Sequence, residues 1–324
     1  MSRLAVGVDV GGTKVLAVLA DRTGAILAET RHATPRTHDA PGVVVADAVA
    51  AAIDELAVTS GQDLAALPLG VGVPGMLSYD GVVAFAPNLK SATGADLAAI
   101  MAARLGRHLV LANDADAAAI AEHALGAARG VDDFVMVTLG TGIGGGVFAG
   151  GRLLRGRAGF AGEIGHMVVD PSGPRCPCGR RGCWERYASG AGVARLAREA
   201  AAAGRLNAIV AARGDDESVR GEDVTHAAAA GDKEALAVLE EVGWWLALGL
   251  ANLVAVLDAG RFVLGGGLGE ASGLLLPPTR RHLVGLLEAG EQRPVIEVVA
   301  AQLAGHAGAI GAALLALDDA AAAL

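Results

Sequence analysis

Val6-Gly-Val-Asp-Val-Gly-Gly-Thr13 returns, in weakened form, as Val135-Met-Val-Thr-Leu-Gly-Thr-Gly142, an offset of 129 residues. Each copy reads as a strand, one polar residue (Asp9 or Thr138), an apolar residue and a turn of small residues. Each then resumes as a second strand, over 14–20 and 144–149. Two hairpins of this form predict a duplicated core with one phosphate-touching turn in each half. Outward from them, β-rich runs fall at 4–10, 15–20, 67–73, 109–112, 134–139, 146–149, 262–264 and 296–300. Ala-rich helical stretches alternate with them at 43–57, 95–105, 115–127, 192–203, 233–257 and 307–317. That alternation predicts an α/β protein. No Pro- or Ser-rich linker divides it.

The chain has 324 residues and a mass of 32.2 kDa, enough for two domains. Hydrophobic residues make up 53% and charged ones 19%, which excludes disorder and allows a large core. Aromatics are only 3%, so Ala, Val, Leu and Ile must build that core. The 26 Lys and Arg against 35 Asp and Glu give a net charge of −9, which argues against nonspecific nucleic-acid binding. The 47 glycines fall in clusters, the pattern of backbone loops that meet ligands. Segment 242–257 is uncharged but holds 16 residues, with Gly249 and Asn252 inside, short of a membrane span. Segment 298–317 is broken by Gln302, His306 and three glycines, and reads better as a strand, a turn near Gly305 and a buried helix. No signal peptide is visible, and a soluble, cytoplasmic protein is expected.

Asp9-x-Gly11-Gly12-Thr13-Lys14 can bring backbone N–H groups and a hydroxyl to phosphate oxygens, with Asp9 holding Mg²⁺ directly or through water. An ordinary β-turn is the rival reading. Gly140-Thr-Gly-Ile-Gly-Gly145 satisfies Gly-x-Gly-x-x-Gly, but an extended segment follows where a dinucleotide fingerprint needs a helix. Gly265-Gly266-Gly267 follows a strand and can pass under a base or ribose. Asn113-Asp114 stands where a strand yields to a helix, as caps or as a carboxylate at a ligand-binding edge.

Cys176, Cys178 and Cys183 lie within eight residues, ten positions after His166. Three thiolates and one imidazole complete a tetrahedral Zn²⁺ site, with Gly179 and Gly182 allowing its turns. An odd cysteine count argues against disulfides. Four protein ligands leave no open position, so the metal is expected to be structural. Glu163 and Glu185, each a surface acid on its own, flank this loop.

Together these residues resemble the ROK family of sugar kinases and sugar-responsive repressors. The resemblance runs through Asp9–Lys14, Pro87-Asn88, Asn113-Asp114, Leu139–Gly142, Gly162-Glu-Ile-Gly-His166, the cysteine cluster and Gly265–Gly267. Phe85-Ala-Pro-Asn88 and Cys183-Trp-Glu185-Arg-Tyr-Ala-Ser189 are most similar to its ATP-dependent glucokinases. The resemblance implies a two-lobed actin/hexokinase-like (ribonuclease H-like) α/β fold with a cleft between the lobes. The small lobe would take 1–115 plus 305–324, and the large lobe 116–304 with the zinc loop. It also implies that Gly75, Asn88, Asn113, Asp114, Glu163, His166 and Glu185 meet the sugar, with Asp114 as base. Asp9, Gly11, Gly12, Thr13, Lys14, Gly140, Thr141, Gly142 and Gly144 would hold the ATP phosphates with Mg²⁺, and Gly265, Gly266 and Gly267 the adenosine. A homodimer or homotetramer is implied. The family's tryptophan after the Pro-Asn pair gives way here to Leu89-Lys90-Ser91-Ala92, so the sugar wall is expected to differ. The repressors carry a DNA-binding domain before the first phosphate motif, for which Asp9 leaves no room. Kinases of other hexoses or N-acetylhexosamines, a polyphosphate-using glucokinase and a sugar-sensing regulator without DNA contact are the alternatives.

Overall fold

The computed structural model describes residues 3–35, 42–290 and 292–322. Three strands open the chain, β1 (Leu4–Val10), β2 (Lys14–Asp21) and β3 (Ile26–Ala33), followed by α1 (Val43–Ser60). Next come β4 (Leu69–Val73), a small ribbon of β5 (Met76–Leu77) and β6 (Val83–Phe85), α2 (Leu97–Leu105), β7 (Val110–Asn113) and α3 (Asp114–Leu125). A second run of strands follows: β8 (Phe134–Leu139), β9 (Ile143–Ala149) and β10 (Arg152–Leu153). Helices then dominate, as α4 (Glu185–Ala188), α5 (Gly190–Ala202), α6 (Asn207–Arg213), α7 (Gly221–Ala229) and α8 (Lys233–Leu257). β11 (Arg261–Gly265), α9 (Ser272–Leu286), β12 (Glu297–Ala300) and α10 (Ala307–Ala322) complete the order.

The duplication expected from the two hairpins is present in the topology. One sheet runs β3-β2-β1-β4-β7 and the other β10-β9-β8-β11-β12, the same order by position. In the first, β1–β2 and β2–β3 are antiparallel, while β1–β4 and β4–β7 are parallel. In the second, β8–β11 and β11–β12 are parallel. Contacts divide the chain into two compact units, one of Met1–Asp132, Gly146–Gly162 and Gly305–Leu324, the other of Asp133–Gly145 and Glu163–Ala304.

Alternation along β1 explains how the first unit is layered. Val6, Val8 and Val10 join a core with Val45, Val49, Ile53 and Leu56 of α1. Ala5, on the opposite face, packs with Ala309, Ala313 and Leu317 of α10. Gly7 shares that face, and a Cβ there would stand 2.0 Å from the Ala309 carbonyl oxygen. Gly70 on β4 is equally tight against Ala312. The glycines thus let α10 lie directly on the sheet, and Asp9, next on the same face, meets the helix's first turn.

Several elements depart from the sequence expectation. β3 carries Glu29, Arg31 and His32 along an edge strand, which masks its period. α9 contains Pro277 and Pro278, residues that normally end a helix, yet Pro278 fits against Gly243 of α8. α4 is four residues long, too short to show a period. Among the described residues α8 is long and apolar enough to cross a membrane, but 56% of its most apolar stretch is buried within the protein.

Candidate active site

β1, β4 and β7 run parallel, so their carboxyl ends share an edge, where α/β sheets bind ligands. Register fixes what stands there: Asp9 pairs with Gly72, Val73 pairs with Asn113, and Asp114 begins α3. Asn113 caps that helix, its Oδ1 accepting from the N–H groups of Ala115 at 2.8 Å and Asp116 at 3.0 Å. Its Nδ2 donates to the Gly75 carbonyl at 3.1 Å. Cap and ligand-edge readings of Asn113-Asp114 are therefore compatible. Asp114 Oδ1 also accepts from Ala115 N–H, at 2.9 Å, which orients the carboxylate.

Burial raises the Asp114 carboxyl to about 6, against the pull of the Ala115 N–H. Asp9 is raised to about 7, first by burial and then by the charge of Asp114, with Lys14 opposing. The two acids therefore share one poorly hydrated setting. Asp114 ionises first, and its charge then helps retain the proton on Asp9. Gly308 of α10 closes the site from the other side. A Cβ there would stand 2.8–3.0 Å from the Asp9 carboxylate atoms.

The first glycine turn is closed by Gly11 N–H donating to the Lys14 carbonyl at 2.8 Å. Thr34, outside the expected set, braces it: its N–H donates to the Thr13 carbonyl at 3.0 Å and its hydroxyl to the Gly11 carbonyl at 2.6 Å. Thr13 and Lys14 stay exposed. Asn88 is adjacent, since a Cβ on Gly12 would lie 3.4 Å from its carbonyl oxygen. Gly75 has φ 107°, and a Cβ there would meet the Phe85 carbonyl oxygen at 2.5 Å, so only glycine fits. Asp9, Gly11, Gly12, Gly75, Asn88, Asn113 and Asp114 thus gather within the first unit.

A second group gathers in the other unit. Gly140 N–H donates to the Gly142 carbonyl at 3.0 Å, forming a tight turn after β8. β11 lies parallel beside β8 with Gly265 opposite Thr138, and a Cβ on Gly266 would press on the Leu139 backbone at 2.7 Å. The clusters Gly140–Gly144 and Gly265–Gly267 are therefore neighbours. Gly165 packs its bare backbone on Ile143 of β9, where a Cβ would stand 2.1 Å from a carbonyl oxygen. That contact brings Glu163 and His166 beside the strand leaving the turn.

His166, Cys176, Cys178 and Cys183 bring one donor atom each to within 4.8 Å of one another. Cys178 Sγ and Cys183 Sγ are 3.5 Å apart, and Cys176 Sγ and His166 Nδ1 3.8 Å. Tetrahedral Zn²⁺ with bonds of about 2.3 Å to sulfur has ligand separations of about 3.8 Å, so the donors fit it. Gly179 (φ 93°) and Gly182 (φ 67°) make the turns, the latter against the Asp170 carbonyl. Burial and hydrogen bonding to Glu185 raise the Cys176 thiol, whereas N–H and thiol hydrogen bonds outweigh burial and lower Cys178. His166 Nε2 lies 3.8 Å from Glu163 Oε2, and its Nδ1 3.7 Å from Glu185 Oε1. One imidazole thus has an acid on each side. Trp184, fully buried between Cys183 and Glu185, seats its indole on Gly249 of α8 and donates Nε1–H to the Trp245 carbonyl at 2.7 Å.

The model of the ROK family matches residues 5–319. The chain belongs to the ROK family. Among its members, a glucokinase of Streptomyces coelicolor is 38% identical over 97% of this chain and 98% of its own. An N-acetylmannosamine kinase of Citrobacter koseri is 40% identical over 64% of each chain. The crystal structure of a ROK family glucokinase from Streptomyces griseus, in complex with glucose and AMPPNP, superposes with a TM-score of 0.88 at 39% identity, covering 97% of this chain and 99% of that one. The likeness to that structure gives the protein the actin/hexokinase-like fold of ROK glucokinases, built here on two sheets of one topology.

Proposed function

We propose that the protein is an ATP-dependent hexose kinase that phosphorylates glucose at its 6-hydroxyl. The observation that carries this reading is Asp114, oriented by a helix N-terminus at the carboxyl edge of three parallel strands and raised to about 6. A base with that value is ionised at neutral pH and still basic enough to take a hydroxyl proton. Full-length similarity to glucokinases, one of them bound to glucose and AMPPNP, supports the substrate pair.

In this mechanism Asp114 accepts the 6-hydroxyl proton as the oxygen attacks the γ-phosphorus and the bond to the β,γ-bridging oxygen breaks, releasing ADP; Asn113 holds the strand–helix junction that aims the base. Gly75, Asn88, Glu163, His166 and Glu185 complete the sugar contacts. Backbone N–H groups of Asp9–Lys14 and Gly140–Gly144 hold the phosphates, and Gly265–Gly267 receives the adenosine. Asp9, once it releases its proton, would hold Mg²⁺, which would supply charge neutralisation for phosphoryl transfer. His166, Cys176, Cys178 and Cys183 would hold Zn²⁺, which would stiffen the loop bearing Glu163 and Glu185 and take no part in the chemistry. We place the enzyme in the cytoplasm as a homo-oligomer with no nucleic-acid partner.

A coupled assay crossing a panel of hexoses with ATP and polyphosphate tests the reading. Glucose with ATP should be turned over fastest, and Asp114→Asn should retain glucose binding while losing about 100-fold or more in kcat. Preference for N-acetylmannosamine would overturn the sugar and spare the kinase. Near-normal turnover by Asp114→Asn would reduce Asp114 to a helix residue.

A further inference from the structure

Ser189 joins α4 to α5 and is completely buried, outside the residues assigned above to sugar or phosphate. Its Oγ caps α5 by accepting from Gly192 N–H at 3.2 Å. The same oxygen lies 2.6 Å from the carbonyl oxygen of Glu185 and 3.0 Å from that of Thr141. Glu185 carries the sugar-facing carboxylate, and Thr141 is the centre of the second phosphate turn. Next door, Gly190 N–H donates to the Gly140 carbonyl at 2.8 Å, docking the turn on the α4–α5 junction. A serine hydroxyl has one proton, so a firmer bond to one of the two carbonyls weakens the bond to the other.

We propose that Ser189 is a positioning residue that couples sugar binding to the phosphate turn by sharing its single hydroxyl proton between Glu185 and Thr141. The inference rests on the kinase reading given above. α4 is a single turn, so a sugar that draws on the Glu185 side chain also shifts its carbonyl. Ser189 sits four residues on and follows that shift, which changes how firmly the Thr141 carbonyl is held. The turn then presents its N–H groups to the phosphates in a geometry set by whether sugar is bound. By linkage the effect is reciprocal: nucleotide must tighten sugar binding by the same factor.

The test measures affinity for glucose and for AMPPNP with Mg²⁺, each alone and with the other saturating, in wild type, Ser189→Ala and Ser189→Thr. Wild type should show mutual tightening. Ser189→Ala should reduce that tightening about 3- to 10-fold, the worth of one hydrogen bond, and lower kcat more than it raises either KM. Ser189→Thr keeps the hydroxyl and the cap and should restore most of both. A merely structural role would lower thermal stability and leave the coupling factor alone. Hydrogen exchange on the wild type needs no variant: glucose by itself should slow amide exchange over 140–144. An active kinase whose 140–144 amides ignore glucose, or whose Ser189→Ala variant keeps full coupling, overturns this inference alone. A wild type that phosphorylates no hexose overturns the kinase reading and the coupling with it.

Discussion

Substituting Gly249 by alanine sets two effects of opposite sign against each other. In an exposed helix the change would stabilise by about 1 kcal/mol, because alanine loses less backbone freedom. At this position the new methyl would stand 2.0 Å from Trp184 Cε2 and 2.4 Å from Cζ2, well over an ångström short of ordinary contact. Neither partner is a flexible tip: the indole is fully buried and α8 packs against α5, α7 and α9. Overpacking of this kind costs about 1–3 kcal/mol, and displacement of the Trp184 hydrogen bond to the Trp245 carbonyl adds about 1 kcal/mol. The steric side wins, by about 2 kcal/mol, which for a chain of 324 residues corresponds to a melting temperature lower by about 3 °C. Because Trp184 lies between Cys183 and Glu185, the shift should also reach the metal loop and the sugar. Differential scanning calorimetry, metal analysis and glucose KM together check this. A variant that melts at or above wild type, with unchanged zinc content and glucose KM, would refute the packing argument.

The raised carboxyls give a pH dependence with a definite sign. Asp9 and Asp114 bind protons more tightly in the folded protein than the ordinary value of 3.8, so stability should fall as pH rises from about 4 to about 7 and then level off. Over the same range kcat/KM for glucose should rise with an apparent pKa near 6, since the base of the free enzyme must be ionised; an acidic limb below 5 would exclude Asp114 as its source. Gly308→Ala drives a methyl onto the Asp9 carboxylate and should raise the KM for ATP with Mg²⁺ more than that for glucose, as steady-state kinetics will show. Cys178→Ser should lower zinc content, melting temperature and glucose affinity together, with AMPPNP affinity least changed; full activity at less than about half an equivalent of zinc would remove the loop's structural role.

Much of this was legible because the chemistry constrains sequence locally. A thiolate cluster needs its cysteines within a few residues, and a phosphate turn needs contiguous glycines, so Cys176–Cys183 and Asp9–Lys14 announce themselves. The hairpin echo gave away the repeated sheet order, since a strand and its turn occupy one stretch of chain. Long-range contacts left fainter marks. Gly308 and Gly311 read as interruptions of an apolar run, whereas they let a helix approach Asp9 and Ala117. Thr34 is separated from the turn it braces by two strands, β2 and β3, and Ser189 from Thr141 by 48 residues. α9 was hidden because its prolines forbid a regular helix unless a partner such as Gly243 receives them.

The approach of α10 to the first sheet also has a consequence for biosynthesis. β1 and β4 emerge early from the ribosome, yet the helix that covers Gly7 and Gly70 is made about 300 residues after the first and about 240 after the second. Until then one face of the nascent sheet, Ala5, Leu16, Val18 and Ala20 among its residues, has no native cover. Contacts of such sequence separation close slowly and leave apolar surface open to other chains. The nascent protein therefore has a long window in which this face of the sheet waits for α10.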